Sequence, residues 1–234
     1  MPKQNISYMY PLFTVIVLCL LSYVLYKFFI DSNVSFPPTL LINIDERTDR
    51  LQETHSEFKH WPVPIERISA VKRNPGYKGC SLSHLKCIQI AKDRNYPWVL
   101  ILEDDCMLIK NGQQQFQDIL PYLWKNKHKW DMFNGGITSL SKHRVIDKQH
   151  KIFEVNGYAA NFYIVHNAVY NKLLRNHPAE PTEPIDVYYD KNFRIWTMVP
   201  YIAKQRPSHS DIENGDIDYI KFFTNAEQTL INDL

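Results

Sequence analysis

An apolar segment that ends in three consecutive acids constrains this chain more than any other feature. The run Trp98-Val99-Leu100-Ile101-Leu102 is followed at once by Glu103-Asp104-Asp105. A continuous apolar run is typical of a strand that is buried on both faces, as in the sheets of α/β proteins. Such sheets bind ligands just beyond the carboxyl ends of their strands. Because adjacent carboxylates repel one another, we expect a positive charge among them, and a hard divalent cation is the natural candidate. The alternative is a solvated turn.

The first 30 residues differ from the rest of the 234-residue chain. Residues 8–30 are almost wholly apolar and carry Lys27 as their only charge. At about 1.5 Å per residue, such a helix crosses the roughly 30 Å hydrocarbon core of a bilayer. The run is longer than the apolar core of a signal peptide, so we predict an uncleaved signal anchor. The positive-inside rule favours a type II protein, with residues 1–7 in the cytoplasm and the body on the other side, in the Golgi or endoplasmic reticulum if the cell is eukaryotic.

Beyond the anchor we predict a short stem, residues 31–38, and one domain, residues 39–234. The residues after position 30 carry 25 basic and 25 acidic side chains. Nucleic-acid binding normally needs a basic surface, so we expect no nucleic-acid partner. The cysteines of the body lack metal-ligand spacing, so zinc is not expected. Cys80 and Cys87 lie two helical turns apart, too far for a disulfide, and a Cys80–Cys106 bridge stays open.

Strands alternate with helices along the body, which predicts an α/β sandwich with a mostly parallel central sheet. The chain has only 7 glycines and lacks both Gly-x-Gly-x-x-Gly and Walker-type loops, so nicotinamide redox and P-loop ATPase functions lose their main support. The predicted strands are 39–44, 64–71, 98–102, 131–133, 157–165 and 199–203, and the predicted helices are 46–60, 80–95, 112–127 and 168–175.

Four further polar clusters fall at predicted strand ends or in loops, where sites tend to be built. Residues 45–50 follow the first strand, and their arginines could contact a nucleotide or form surface salt pairs. Residues 79–84 open a helix whose N-terminus could hold a phosphate, or they are an ordinary capped start. Asp186 could be a general base or a helix cap. His209 could be a metal ligand or part of a surface turn.

In this order, the clusters make the chain resemble glycosyltransferase family 25, which holds lipopolysaccharide-biosynthesis sugar transferases and collagen galactosyltransferases. The most specific pieces are Gly79-Cys80-Ser81-Leu82-Ser83-His84 and Leu102-Glu103-Asp104-Asp105, separated by a helix. The resemblance covers about residues 40–213. The weaker pieces are 42–50, 67–70, 130–131, 157–158, 184–186 and 210–212.

The resemblance implies a GT-A fold, a nucleotide-binding α/β sandwich. It implies transfer of a hexose of the galactose or glucose type from a UDP-sugar to a hydroxyl of a glycan, glycolipid or glycoprotein. Mn²⁺ or Mg²⁺ would be bound by Asp105, with Glu103 or Asp104 on the metal or the donor ribose and His209 as a late ligand. With the clusters above, the expected donor-binding residues are Asp45, Arg47, Arg50, Ser83, His84, Glu103, Asp104 and Gly157.

For an inverting reaction, a carboxylate on the opposite face of the sugar must take the proton of the acceptor hydroxyl. The resemblance makes Asp186 the candidate base, with Asp190 and Asp211 as alternates. Gly157 would lie in a short glycine loop near the donor sugar.

The chain departs from the family pattern before Gly79. The family sequence Gly-Glu-x-Gly-Cys is replaced by Gly76-Tyr77-Lys78-Gly79-Cys80, without the acid. This leaves open a catalytically inactive relative that acts as a glycan-binding or scaffold subunit, although the other acids are retained. A metal-dependent nucleotidyltransferase or phosphohydrolase is a third hypothesis. The body is also short beside the collagen-modifying members, so a collagen acceptor is not supported.

Overall fold

The computed structural model describes residues 14–22, 34–210 and 215–234, which form alternating strands and helices. The strands are β1 (Thr39–Asn43), β2 (Ile65–Ser69), β3 (Trp98–Glu103), β4 (Cys106–Leu108), β5 (Met132–Asn134), β6 (Thr138–Asp147), β7 (Ile152–Tyr158), β8 (Phe162–His166), β9 (Ile195–Met198), β10 (Ala203–Gln205), β11 (Ser208–Ser210) and β12 (Gly215–Ile217). The helices are α1 (described over residues 14–22), α2 (Thr48–Glu57), α3 (Gly76–Asp93), α4 (Gly112–Lys125), α5 (Asn167–Asn176), α6 (Ile185–Asn192) and α7 (Ile220–Asn232).

An eight-stranded sheet in the order β2-β1-β3-β8-β5-β9-β7-β6 forms the centre of the molecule. Its strands run in one direction except β7 and β8, which run the opposite way. The two small antiparallel pairs are β4 with β10 and β11 with β12. The predicted α/β class and the large, mostly parallel sheet are therefore confirmed.

Both faces of the sheet are covered, as the apolar run of β3 predicts. Val99 and Ile101 pack into a core with α3, α5 and α6, whereas Leu100 and Leu102 pack on the opposite face with α4. Successive side chains of a strand point to opposite faces, so one strand supplies both cores. Burying each such aliphatic side chain contributes roughly 1.5–3 kcal/mol.

The first three strands place their carboxyl ends at one edge of the sheet. β1 lies between β2 and β3 and is parallel to both. In this register Asn43 is level with Ser69, and Ile42 is level with Glu103. The acids that follow β3 therefore emerge beside the loops that follow β1 and β2, which is where α/β sheets bind ligands.

Two strand predictions are wrong. The predicted strand 157–165 is divided between β7 and β8 by a break that includes Ala159, whose φ is 134°. Residues 199–202 are buried except for the exposed Pro200, but they connect β9 to β10 instead of forming a strand. Their backbone groups bond outside the sheet, since the Tyr201 N–H donates to Glu227 Oε1 at 2.8 Å and the Ile202 N–H to the Gly135 carbonyl at 2.7 Å. Here an apolar run marks burial and not a strand.

Of the predicted anchor, residues 8–30, the structure describes only residues 14–22, which are helical and exposed. Among the described residues, none of the helices has the length and hydropathy of a membrane span. The anchor and the topology stay predictions. Asp211 lies outside the described residues. Cys80 and Cys106 are free cysteines, so the structure does not form the bridge that the sequence left open.

Candidate active site

A cavity of about 380 Å³ lies at the carboxyl ends of β1, β2 and β3. Its volume is in the range of small-molecule sites. One part of its wall is acidic and another is basic. The acidic residues after β3 are Glu103, Asp104 and Asp105, and the basic lining residues are Arg47, Arg50, Lys72 and Arg73.

Asp104 is buried and fully held by neighbouring elements. Its Oδ1 accepts from Arg50 Nη1 at 2.9 Å, and its Oδ2 accepts from Asn43 Nδ2 at 2.7 Å. The Thr54 hydroxyl donates to its carbonyl at 2.9 Å. Burial raises the pKa of Asp104, and the bonds from Asn43 and Arg50 oppose that rise. Asp104 therefore fixes the acidic turn to β1 and α2.

Asp105 is buried, but only one of its two carboxylate oxygens has a hydrogen-bond partner among the described residues. Its Oδ2 accepts from Gln205 Nε2 at 2.9 Å and lies 3.7 Å from Arg50 Nη1. Its Oδ1 is buried and has no hydrogen-bond partner among the described residues. Burial, together with the charges of Glu103 and Asp104, raises the pKa of Asp105 to about 7. An orphaned carboxylate oxygen among further acids is a fitting ligand for a hard divalent cation, which prefers oxygen donors.

Arg50 supplies a positive charge that the acidic segment led us to expect. Its side chain is buried, and beyond Asp104 it donates through Nη2 to Ser208 Oγ at 2.7 Å and to the His209 carbonyl at 2.6 Å. The guanidinium thus ties the acidic turn to β11. Arg50 lines the cavity, as expected of a donor-binding residue, but these bonds already engage its Nη atoms.

The Gly79-to-His84 segment anchors the start of α3 beside the cavity. A Cβ on Gly79 would lie 2.3 Å from the Val71 carbonyl oxygen, so only glycine permits this approach. The buried Ser83 hydroxyl accepts from the Val71 N–H at 2.7 Å and donates to the Gly79 carbonyl at 2.7 Å. The motif therefore holds the start of α3 against residue 71. Both hydrogen bonds of the Ser83 hydroxyl are made to the protein backbone.

A chain of buried hydrogen bonds begins at Glu103 on the cavity wall. Glu103 Oε1 lies 2.9 Å from His84 Nε2, and His84 Nδ1 lies 2.9 Å from the Tyr163 hydroxyl. The Tyr163 hydroxyl is 3.0 Å from that of Tyr189 on α6. Because a carboxylate only accepts, Nε2 carries a proton toward Glu103. This chain fixes the orientation of Glu103 and links it to α6.

Asp186 lies on the first turn of the same helix and is half-buried. Its Oδ1 accepts from the Val187 N–H at 2.9 Å. Burial raises the pKa of Asp186, the Val187 N–H opposes that rise, and the charge of Glu103 adds to it. A carboxylate with a raised pKa is a stronger base near neutral pH. Asp186 is not part of the cavity lining, and its role stays a prediction.

Asp190, the alternate candidate base, forms hydrogen bonds to β7. Its Oδ1 accepts from the Gly157 N–H at 2.9 Å and from Asn156 Nδ2 at 3.0 Å. Gly157 itself packs against β6, since an added Cβ would meet Ile137 Cδ1 at 2.8 Å and the Thr138 carbonyl oxygen at 2.9 Å. Neither Asp190 nor Gly157 lines the cavity.

The remaining predicted residues lie at the rim or outside the cavity. The His209 side chain is 52% exposed, and its Nδ1 lies 3.2 Å from Asp216 Oδ1. The described structure therefore does not bring His209 together with Glu103 and Asp105, and their shared metal role stays a prediction. Arg47 lines the cavity and pairs with Asp49 at 2.9 Å, whereas the exposed Asp45 pairs with Arg67 outside the lining.

Sequence reasoning missed several residues that build the site. Asn43 could have been found, because it ends a strong strand at the edge where ligands bind. Gln205 carries no local signal, since it reaches Asp105 only through the antiparallel pairing of β10 with β4. Tyr163 and Tyr189 lie in sequence segments whose pattern predicts only buried core residues, so their hydroxyls gave no signal of a site.

Residues 74–177 match the family model described as glycosyltransferase family 25 (LPS biosynthesis protein). That span contains α3, β3 and the acidic turn. A comparison with curated proteins found no match.

Solved structures give distant similarities. The crystal structure of A197 from STIV is 15% identical over 78% of this chain and 93% of that chain, with a TM-score of 0.44. An apo UDP-glucose pyrophosphorylase is 9% identical over 84% of this chain and 82% of that chain, with a TM-score of 0.44. Mannose-1-phosphate geranyltransferase from Thermus thermophilus is 10% identical over 70% of this chain and 59% of that chain, with a TM-score of 0.41.

The family match covers the two motifs that are most specific in the sequence, the helix start at Gly79 and the acidic turn after β3, and both shape the cavity. Residues 74–177 are therefore similar to glycosyltransferase family 25, and this similarity supports a glycosyltransferase.

Proposed function

We propose that this protein is a metal-dependent hexosyltransferase with a GT-A-type nucleotide-binding fold. It moves a galactose- or glucose-type hexose from a UDP-sugar to a hydroxyl of a glycan, glycolipid or glycoprotein. The observation that carries this proposal is the cavity at the ends of three parallel strands, with basic and acidic walls. A nucleoside diphosphate sugar is an anion, and cationic side chains together with a metal ion held by acids would bind its diphosphate.

The basic wall suits the diphosphate of the donor. Arg73 is exposed, lines the cavity and forms no ion pair within the part of the chain that the structure describes; its Nη1 donates only to the Lys72 carbonyl, at 2.9 Å. Lys72 beside it pairs with Glu46 at 2.6 Å on the surface. Guanidinium groups match phosphate geometry with two parallel hydrogen bonds. Arg73 is therefore the side chain best placed to bind phosphate oxygens.

Asp105 and Glu103 would hold Mn²⁺ or Mg²⁺. When bound, the ion would neutralise the negative charge that develops on the departing diphosphate. The orphaned Asp105 Oδ1 supports this role, since a bound cation satisfies a buried oxygen that the protein leaves without a partner. Asp104 and Arg50 hold the turn in place and so position Asp105.

Asp186 is the proposed base of an inverting reaction. Its carboxylate takes the proton of the acceptor hydroxyl as the hydroxyl oxygen bonds to the anomeric carbon and the bond to the diphosphate oxygen breaks. Its raised pKa and its nearness to Glu103 support this role. The acceptor would approach from the α6 side, with the nucleotide in the cavity.

We also propose that residues 8–30 anchor the protein in a membrane, with the catalytic body on the non-cytoplasmic side. Carbonate extraction and protease protection of the full chain in microsomes test this proposal. Release by carbonate, or digestion of the body without detergent, would contradict it.

A donor screen tests the activity. The full-length chain is incubated with Mn²⁺, a set of UDP-hexoses and a mixture of glycan acceptors, while UDP release and labelled product are followed. UDP release with sugar transfer supports the proposal. Donor binding without turnover favours the inactive relative, and release of pyrophosphate or inorganic phosphate favours a nucleotidyltransferase or phosphohydrolase. The anomeric configuration of the product, read by NMR, tests inversion.

A further inference from the structure

We infer that Cys80, His84 and Glu103 form a second cation site, selective for a soft divalent ion such as Zn²⁺. The three residues lie together on the cavity wall. Their ligand atoms, Sγ, Nε2 and Oε1, lie within 4.8 Å of one another. This site is distinct in chemistry from the oxygen-rich acidic turn, although it shares Glu103 with it.

The fold brings these donors together from two elements. Cys80 and His84 stand four residues apart on α3 and so share one face of the helix, while Glu103 ends β3. Glu103 Oε1 lies 3.9 Å from Cys80 Sγ and 2.9 Å from His84 Nε2. Around a tetrahedral Zn²⁺ with bonds of about 2.0–2.3 Å, ligand atoms stand roughly 3.3–3.6 Å apart. The donors therefore need shifts of under about 1.5 Å, with the bond between His84 and Glu103 opening around the ion.

The surroundings of His84 match those of a metal ligand. Its ring is fully buried, and the Tyr163 hydroxyl holds Nδ1 at 2.9 Å, which turns Nε2 toward Cys80 and Glu103. A metal-bound histidine usually donates its second ring N–H to an oxygen atom, and the Tyr163 hydroxyl oxygen can accept from Nδ1 once the proton stands there. All three residues line the cavity, so an ion has an entry path and a fourth position open to water.

Ligand type decides which metal the site takes. A thiolate and an imidazole favour zinc, whereas Mn²⁺ and Mg²⁺ favour carboxylates and water. As the metal binds, the thiol of Cys80 gives up its proton to the solvent, and the His84 proton moves from Nε2 to Nδ1, where the Tyr163 hydroxyl oxygen accepts its hydrogen bond. The spacing of the cysteines predicted no zinc site, because the partners of Cys80 are a histidine on its own helix and a glutamate 23 residues along the chain. The structure changes that expectation.

A consequence for activity rests on the proposed function. Zn²⁺ held at Cys80 and His84 would draw Glu103 away from the acidic turn. Zn²⁺ would then inhibit hexose transfer even with Mn²⁺ in excess. Loss of the thiol should raise the inhibitory Zn²⁺ concentration by at least about tenfold, since each lost ligand costs metal affinity on that scale or more.

Cobalt titration of the full-length chain tests the site without any need for activity. Co²⁺ bound to a thiolate gives a charge-transfer band in the near ultraviolet. We expect this band in the wild-type protein, its loss in Cys80→Ala and its retention in Cys87→Ala, a matched control in which a buried cysteine of the same helix is removed. A band that persists in Cys80→Ala, or its absence from the wild type at millimolar Co²⁺, would overturn the inference.

Zinc inhibition is then compared between the same two variants, each relative to its own activity without zinc. Resistance confined to Cys80→Ala supports the link to Glu103, and equal inhibition of all three proteins refutes it. If no donor releases UDP, the proposed function fails, while the cobalt titration still decides the metal site.

Discussion

The Arg50 guanidinium donates to the Asp104 carboxylate at 2.9 Å across 54 residues of sequence, and both side chains are buried. The same guanidinium reaches β11 through Ser208 and His209. One cation therefore holds the acidic turn and the C-terminal segment together. Its place among the acids explains how three adjacent carboxylates coexist at the end of a buried strand.

Replacing Arg50 with Met should destabilise the protein by about 3–5 kcal/mol, because the change leaves the Asp104 charge buried and short of a partner. Urea unfolding measures the loss. Arg94→Met is the control, since Arg94 pairs with Glu66 on the surface and both side chains are 44% exposed. That variant should lose no more than about 1 kcal/mol. Equal losses would show that the buried pair contributes no more than an exposed one.

Replacing Gly79 with Ala should destabilise the protein by about 1–3 kcal/mol, because the new Cβ would overlap the Val71 carbonyl oxygen. Gly215→Ala is the matched control, since a Cβ there meets nothing within 4 Å. Thermal unfolding compares the two variants. The docking account of α3 fails if Gly79→Ala is as stable as Gly215→Ala.

Mn²⁺ should stabilise the protein more strongly as the pH rises from about 5.5 to about 8. The pKa of Asp105 is raised to about 7 from an ordinary 3.8, so between these values the folded state keeps a proton that the unfolded state has lost. The metal-free protein therefore loses stability as the pH rises through this window. Mn²⁺ must displace that proton, so its affinity grows by up to about tenfold per pH unit and levels off above the pKa.

Thermal shifts with and without Mn²⁺ across this pH range measure the effect, and Asp105→Asn is the control. The variant should show a small shift with no pH trend, because it has no carboxylate to deprotonate. The same trend in both proteins would remove Asp105 as the ligand responsible.

Asp186→Asn should lower kcat by about 10²- to 10⁴-fold and leave the donor KM near that of the wild type, as expected for loss of a general base. Asp190→Asn is the contrasting variant. Asp190 holds the Gly157 N–H, so its loss should lower the stability more than kcat. Steady-state kinetics with thermal unfolding separate the two effects. If Asp190→Asn keeps its stability and loses kcat while Asp186→Asn keeps its kcat, then Asp190 and not Asp186 is the base.

Local patterns predicted the elements that build the cavity. The sequence signals for β1, β3 and α3 are strong, because each of these elements buries a continuous apolar surface. The hairpin of β6 and β7 escaped prediction, since the residues of β6 are all exposed or half-buried. So did the order of the sheet, in which β8 enters antiparallel between β3 and β5. That order brings Tyr163 against His84.

The sequence predicted where the acids of the site lie, but it did not predict their hydrogen-bond partners. The acids after β3 lie in the cavity as expected, but the partner of Glu103 is His84 and the partner of Asp104 is Arg50. Such contacts depend on tertiary packing between elements tens of residues apart. No local pattern encodes them, and the residues that matter most for Asp105, Arg50 and Gln205, come from opposite ends of the domain.

Anomalous scattering of Mn²⁺ in crystals of this protein soaked with manganese and UDP tests directly whether Asp105 holds the metal. We expect a manganese peak within about 2.5 Å of Asp105 Oδ1 that also contacts the diphosphate, as expected for a hard cation bound by oxygens. A bound UDP whose diphosphate lies away from Asp105, with no peak at the acidic turn, would contradict this expectation.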